Sequence, residues 1–196
     1  MLTVSVKHSI ADVRKTLDNI AQKQMPFAIA KALTQTAKAV AGMESKALPG
    51  ELDKPTPFTM RAFGTMPATK QRLIATVFIK REQWKYLRYQ VEGGERRPAK
   101  RAVVIPEGLR VNQYGNMPKG AIRKLLSKPG VFSGKVNGVP GIYQRKGRSV
   151  VLLIKYVDQA NYKRRFDFVG IGEQAIAAEF GAIFGRALAG ALASAR

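Results

Sequence analysis

Apolar and polar positions in the amino-terminal part of the chain predict one short strand followed by two helices. Residues 2–7 alternate apolar and polar side chains, which is the period of a half-buried strand. Apolar side chains then recur at helical spacing over Val13–Ala21, and again in the Ala-rich run over about Phe27–Leu48. Pro26 ends the first helix or opens the second, and Pro49-Gly50 is the expected stop.

Strand patterns dominate the middle of the chain. The run Leu73–Lys80 is rich in β-branched and aromatic residues and is the clearest strand, whereas Trp84–Val91 fits a helix or a strand. Asn137-Gly138 has the composition of a two-residue hairpin turn. We expect a short helix over about 119–126 and strands over 131–136, 141–145 and 148–157, two or three of which form an antiparallel meander.

Proline punctuates the passage between the amino-terminal helices and this region. Residues 49–57 contain three prolines and one glycine, and they predict an ordered arm or linker. Thr56-Pro57 marks a helix start, which predicts one or two helical turns over Phe58–Phe63.

The carboxy-terminal residues, from about Ile171 to Arg196, keep a helical apolar stripe that contains several glycines. Each glycine costs a helix roughly 1 kcal/mol relative to alanine, so close packing is expected to offset the loss. The packing partner is the protein's own sheet or first helix, a second subunit or, least favoured, a membrane dimer, because Arg186 interrupts an already short apolar run. For a subunit contact the candidate residues are Gly181, Phe184, Gly185 and Leu188.

These elements together predict an α+β fold, in which a small antiparallel sheet is flanked by amino-terminal and carboxy-terminal helices. The length of 196 residues favours a single domain over 1–196, with 49–57 as the arm and 96–165 as a long middle region punctuated by glycine and proline.

The charge distribution changes the picture most. The chain has 34 Lys and Arg against 13 Asp and Glu, a net charge of +21. Residues 96–165 hold 17 of the cations and only two carboxylates, Glu107 and Asp158. So large an excess opposes a compact state by self-repulsion, and we therefore expect an acidic partner.

Clusters of cations in this region are the candidate contacts for that partner. Lys163-Arg164-Arg165 is framed by aromatic residues, which suits phosphates together with unpaired bases. Basic clusters equally suit the acidic face of a protein, and both alternatives stay open. The candidate contact residues are Arg96, Arg97, Lys100, Arg101, Arg145, Lys146, Arg148, Lys163, Arg164 and Arg165.

The composition offers little material for catalysis. There is no cysteine, which excludes disulfides, thiolate zinc sites and cysteine nucleophiles, and His8 is the only histidine. The Gly93-Gly94 turn lacks the spacing of a phosphate-binding loop, and Glu92 with Glu95 favours surface ion pairs over acid–base chemistry. We expect no enzyme, no metal and no cofactor. We see no signal peptide or spanning apolar run, and expect no membrane partner.

Three short stretches carry a resemblance to a known family: Tyr86-Leu-x-Tyr-Gln with Gly93-Gly-Glu-Arg, Tyr114-Gly-Asn-Met-Pro-Lys-Gly120, and Tyr162-Lys-Arg-Arg-Phe166. In these the sequence resembles virion proteins of tailed bacteriophages and prophages from the head–tail joining and tail-completion region. The general plan is similar to tail-completion proteins of the minor tail protein Z type, over about residue 56 to the end. Unlike that type, this chain has a long middle region punctuated by glycine and proline.

The resemblance implies a structural protein of the virion, assembled in the host cytoplasm as a ring at the neck or upper tail. Its expected partners are copies of itself, other phage head, neck or tail proteins, and double-stranded DNA in the channel. The alternative function is that of a nucleic-acid-binding protein without sequence specificity, which uses the basic region 96–165 outside any particle.

Overall fold

The computed structural model describes residues 24–98 and 102–194. It is an α+β protein with small antiparallel sheets, an amino-terminal helix and a carboxy-terminal helix, as predicted. The predicted strand over 2–7, the predicted helix over 13–21 and His8 lie outside the described residues. The helices are α1 (Met25–Glu51), α2 (Pro57–Met60), α3 (Arg81–Val91), α4 (Ala121–Leu126) and α5 (Phe168–Ala193). The strands are β1 (Phe63–Met66), β2 (Thr76–Ile79), β3 (Gly94–Arg96), β4 (Val103–Pro106), β5 (Val131–Val136), β6 (Val139–Lys146), β7 (Ser149–Val157) and β8 (Ala160–Tyr162).

Two compact units share the described chain. The first, called the helical unit here, takes residues 24–47, 60–83 and 167–194, and the second, the sheet unit, takes residues 48–59, 84–98 and 102–166. This division into two compact units does not test the expected single domain over 1–196, which stays a prediction.

In the helical unit, α1 packs against α5 through small side chains. Ala32 on α1 is fully buried in a cluster with Ile183 and Ala187 of α5. Alanine at the contact lets the two backbones come close, and phenylalanines from α5 fill the space at the side of the cluster. Nearby, the rings of Phe63 on β1 and Phe168 stack at 5.9 Å between centroids.

The ends of α1 follow proline chemistry. The helix begins at Met25 and places Pro26 in its first turn, where the missing N–H has no intrahelical partner to lose, so Pro26 opens the helix. The predicted stop at Pro49-Gly50 is slightly early, because Pro49 is accepted inside the last turn and the helix ends at Glu51. Residues 52–56 of the predicted arm have no regular structure, and Pro57 opens α2.

Two other predicted elements of this region are too long. The strand expected over Leu73–Lys80 is only four residues, Thr76–Ile79, because pairing with β1 begins at Thr76, which lies opposite Met66. Leu73 and Ile74 lie outside the strand and are exposed. The helical turns expected over Phe58–Phe63 end at Met60, since Phe63 opens β1.

In the sheet unit, β4, β7, β6 and β5 form a four-stranded antiparallel sheet in that order, and β5–β6–β7 is the predicted meander. Asn137 and Gly138 form its first turn with φ of 49° and 82°, the left-handed conformation of a two-residue hairpin turn. One face of the sheet packs against α4, where Leu125 meets Ile142 and Ile154.

The ambiguous run Trp84–Val91 is helical and belongs to α3. Its buried side chains, Gln83 and Leu87, stand four residues apart, so burial follows one helical face instead of alternating. The two-stranded sheet of β3 and β8 stands beside this helix in the sheet unit and positions the candidate site.

Candidate interaction surfaces

The short β3–β8 sheet brings together two of the predicted cationic clusters. Gly94 pairs with Tyr162 and Arg96 with Ala160, so Arg96 and Arg97 lie towards one end of the sheet and residues 163–165 follow the other. Gly93 makes this approach possible, because its φ is +75° and a Cβ there would lie 3.2 Å from the backbone nitrogen of Arg164.

Hydrogen bonds from the backbone fix the segment after β8 against α3. The N–H groups of Arg165 and Phe166 both donate to the carbonyl oxygen of Gln90, at 2.8 and 2.9 Å. Phe166 is fully buried, whereas Lys163, Arg164 and Arg165 are exposed. The buried phenylalanine thus anchors a cationic segment of exposed residues.

Arg96 and Arg165 line one open pocket of about 350 Å³, called the arginine–tyrosine pocket here. Charged side chains, tyrosines and neutral polar groups share its wall. The charged residues are Asp53, Lys54, Arg96 and Arg165; the tyrosines are Tyr86, Tyr114 and Tyr162; and the neutral polar residues are Thr56, Thr59, Gln90 and Asn116.

Hydrogen bonds hold this wall in place on two sides. The Tyr86 hydroxyl lies 3.0 Å from the Thr59 hydroxyl, which lies 2.9 Å from that of Thr56. The Asn112 carboxamide oxygen accepts hydrogen bonds from the backbone N–H groups of Tyr114 and Asn116, at 3.0 and 2.9 Å. Tyr86 is thus held through its hydroxyl group and Tyr114 through its backbone.

A second pocket of about 550 Å³, the adjoining pocket, shares Arg96 with the first. Its other lining includes Lys85, Arg88, Tyr89 and Arg97. The Arg88 guanidinium lies 4.7 Å from the centre of the Tyr89 ring and donates to the Tyr89 hydroxyl at 2.6 Å. Tyr89 also packs against Tyr162 of the first pocket, with 5.5 Å between ring centroids.

Arg97 differs from Arg96 because it has a carboxylate partner. Its Nε donates to Glu95 Oε1 at 2.6 Å, and this hydrogen bond and the attraction of the two charges raise the pKa of Arg97. Glu95 thus forms a surface ion pair, which is the alternative that the sequence favoured over acid–base chemistry.

The remaining predicted cations lie elsewhere. Arg145, Lys146 and Arg148 are exposed at the β6–β7 turn and line neither pocket. The Arg145 guanidinium lies 5.2 Å from the centre of the Phe132 ring, on the four-stranded sheet. Lys163 and Arg164 line neither pocket, and Lys100 and Arg101 lie outside the described residues. The structure thus gathers three of the ten predicted cations, Arg96, Arg97 and Arg165, at the two pockets.

On α5, the predicted contact residues divide between two sides of the helix. Gly181 and Gly185 are exposed, and a Cβ on either would meet no atom within 4 Å in the described chain. Phe184 instead packs on the core of the helical unit and stacks with Phe180 at 5.8 Å. Leu188 is half-buried.

One row of small apolar residues runs along the exposed side of α5. Ala177, Gly181, Gly185 and Ala189 follow one another at intervals of four and are all exposed. The helix is long and apolar enough by length and composition to cross a membrane, although the sequence was expected to hold no such run. Only 22% of its most apolar window is buried within the described chain.

The sequence did not predict a buried carboxylate on α1. Glu44 is fully buried, and neither of its carboxylate oxygens has a hydrogen-bond partner among the described residues. Burial, and secondarily the negative charge of Asp167, raise the pKa of Glu44 to about 8. The signal was present, since Glu44 continues the helical spacing of Val40 and Leu48, which are also buried.

Glu44 lies beside an apolar groove of about 500 Å³ within the helical unit. Gly172 of α5 lines this groove, and a Cβ on it would lie 3.5 Å from Glu44 Oε1. Across residues 24–98 and 102–194, no three Asp, Glu or His side chains gather as metal ligands. Comparisons with protein-family models, curated proteins and solved structures found no match.

Proposed function

We propose that this chain is a structural virion protein of a tailed phage, a ring-forming head–tail connector or tail-completion subunit. It acts by assembly and electrostatic docking, without a chemical step. The exposed side of α5 carries the proposal, because a long apolar helix that the described residues bury on one side only calls for a partner surface on the other. The sequence resemblance to virion proteins of tailed bacteriophages suggests that this partner is part of a virion.

Charge favours a second copy of the chain as the partner of α5. Copies that each carry +21 repel one another, so they need a contact region without an excess of positive charge. In α5 the only charged residues are Glu173, Glu179 and Arg186, which gives it a net charge of −1. The exposed glycines let a neighbouring helix approach closely, and a head-to-tail contact of this kind closes into a ring.

The experiment compares two glycine substitutions on α5. Gly181→Leu places a large side chain on the exposed apolar surface, and Gly190→Leu makes the same change half a turn away, where a Cβ also meets open space. Sedimentation velocity over a concentration series is expected to show oligomers for the wild type and Gly190→Leu, and at least tenfold weaker assembly for Gly181→Leu. Both variants gain helix propensity, so neither is expected to unfold more readily.

The assay is repeated with portal and tail proteins of a tailed phage present, since assembly can depend on a partner ring. A wild-type protein that stays monomeric alone and with those proteins would overturn the proposed function. If Gly181→Leu and Gly190→Leu assemble equally well, the ring forms through a surface other than this side of α5.

A second candidate function is nucleic-acid binding without sequence specificity. The observation that favours it is the pair of pockets sharing Arg96, both of which are lined by cations and tyrosines. Affinity for duplex DNA would then fall with salt, with log K losing about 0.9 for each phosphate neutralised per decade of salt concentration.

A further inference from the structure

We propose that the arginine–tyrosine pocket binds one nucleotide, with the phosphate at Arg96 and Arg165 and the base against the tyrosine wall. The proposal rests on the second candidate function and specifies its site. The volume of about 350 Å³ falls in the range of pockets that hold small ligands.

Charge and geometry at the pocket favour a phosphate. The lining has three cationic residues and one carboxylate, which gives a net charge of +2. The cations are Arg96, Arg165 and Lys54, and the carboxylate is Asp53. Arginine presents its N–H donors as a planar fork that matches phosphate oxygens. The backbone of Arg165 is fixed by its hydrogen bond to Gln90, which limits the loss of freedom on binding.

Aromatic residues distinguish a nucleotide from a bare anion. Tyr86, Tyr114 and Tyr162 line the same pocket as the cations, and an aromatic wall accepts any base by stacking. Gln90 and Asn116 add donors and acceptors at the pocket wall, and Asp53 adds an acceptor for an exocyclic amino group. The Asp and Glu side chains of an acidic peptide would use the cations, but they have no aromatic ring to stack on the tyrosines.

The adjoining pocket offers a place for the next nucleotide of a strand. Arg96 belongs to both pockets, and the Tyr162–Tyr89 contact runs from one to the other. Lys85 and Arg88 then supply cations at the position of a following phosphate. The nucleotide therefore comes from a single strand that crosses both pockets or from a free mononucleotide, and the experiment separates these sources.

Fluorescence anisotropy of the full chain with a short labelled oligodeoxythymidylate, over a series of NaCl concentrations, tests the site. Arg96→Gln with Arg165→Gln removes two charges at the pocket, and Arg145→Gln with Arg148→Gln removes two at the β6–β7 turn, so the two proteins have equal net charge. The pocket variant is expected to lose at least tenfold more affinity than the turn variant. Its salt slope should fall by about 0.7, the value for the one single-strand phosphate that the two arginines hold.

Tyr114 separates stacking from charge. Tyr114→Ala is expected to weaken binding about tenfold with an unchanged salt slope, and Tyr114→Phe, which keeps the ring, is expected to retain affinity. Thymidine monophosphate, added as a competitor, identifies the source of the nucleotide. If it displaces the labelled oligonucleotide, the pocket binds a free nucleotide. If it does not displace a tightly bound oligonucleotide, the pocket binds a nucleotide within a strand.

Three outcomes would overturn the proposal. If the oligonucleotide binds and the pocket and turn variants weaken equally, the second candidate function stands and the pocket is not its site. If polyglutamate binds through Arg96 and Arg165 and Tyr114→Ala changes nothing, the pocket serves an acidic peptide. If the wild type binds neither the oligonucleotide nor thymidine monophosphate at low salt, the second candidate function and the pocket both fail.

Discussion

At Glu44 a single carboxylate makes stability depend on pH. The pKa of Glu44 is about 8 in the folded chain, against an ordinary value of 4.5. A carboxyl group whose pKa is raised by folding binds its proton more tightly in the folded state than in the unfolded state. Its stabilising contribution is therefore complete below about pH 4.5 and is lost as the pH rises through 8.

Replacing Glu44 with glutamine should remove this dependence. Glutamine has nearly the same shape but does not ionise, so the Glu44→Gln protein avoids the cost of a buried charge at high pH. We expect it to be more stable than the wild type by about 2 kcal/mol at about pH 9, and by much less at about pH 5. Urea unfolding at the two pH values measures the difference.

Glu51 provides the matched control for this change. It lies in the last turn of the same helix and is exposed, so Glu51→Gln removes the same charge without a buried site. If Glu44→Gln and Glu51→Gln change the free energy of unfolding by the same amount at both pH values, Glu44 ionises as readily as an exposed carboxylate. Burial of Glu44 then does not make stability depend on pH.

At the scale of elements, the β5–β6 hairpin offers two glycines that face each other. Gly134 pairs with Gly141 across the hairpin, yet their surroundings differ. A Cβ on Gly141 would collide with the carbonyl oxygen of Ile154 and lie 2.8 Å from a methyl carbon of Leu152, whereas a Cβ on Gly134 would touch the Phe132 ring at 3.5 Å, an ordinary contact. The close approach of β6 to β7 thus requires glycine at one position of the pair only.

Alanine at these two positions should have opposite effects. Gly141→Ala is expected to lower the free energy of unfolding by about 2 kcal/mol, since the strand must shift from its partner. Gly134→Ala is expected to raise it by about 0.5 kcal/mol, because alanine loses less backbone entropy in a strand. Chemical denaturation of both proteins checks this, and a Gly141→Ala protein as stable as Gly134→Ala would contradict the packing of β6 on β7.

Elements with strong local signals could be predicted from the sequence. Asn137-Gly138 fixed the register of the hairpin because few residues other than glycine and asparagine adopt positive φ, and the strand over 131–136 has its predicted bounds. The extent of β2 could not be predicted, since it depends on where β1 runs out of partners at Met66. The pattern of Trp84–Val91 was ambiguous because only one face of α3 is buried.

The candidate site was partly predictable for a similar reason. A cluster such as Arg96-Arg97 is visible in the sequence, but its neighbours come from segments far apart in the chain, among them Tyr86, Tyr114 and Arg165. Which cations share a pocket follows from the pairing of β3 with β8, which are three-residue strands with weak patterns of their own. The sequence therefore predicted that the region is cationic. Only the fold shows that Arg96 lines the pockets and that Arg148 does not.

At the scale of the whole molecule, the net charge of +21 opposes folding. Like charges repel at long range when little salt is present, because the Debye length is about 30 Å at 0.01 M and about 8 Å at 0.15 M. The compact state concentrates these charges more than the unfolded state does, so screening stabilises the folded chain. A nucleic acid or an acidic protein surface would relieve the same repulsion more specifically.

Thermal unfolding of the isolated protein should therefore respond to salt. We expect the midpoint of unfolding to rise by several degrees between about 0.01 M and about 0.15 M NaCl, where most of the screening develops. The combined Arg145→Gln, Lys146→Gln and Arg148→Gln substitutions remove three exposed charges from the β6–β7 turn, and this protein should start from a higher midpoint at low salt and gain less from NaCl. Potassium chloride should act as sodium chloride does, because screening depends on ionic strength and not on the cation. A midpoint that stays constant or falls over this range would show that repulsion among the cations does not limit stability, and the expected need for an acidic partner would lose its physical basis.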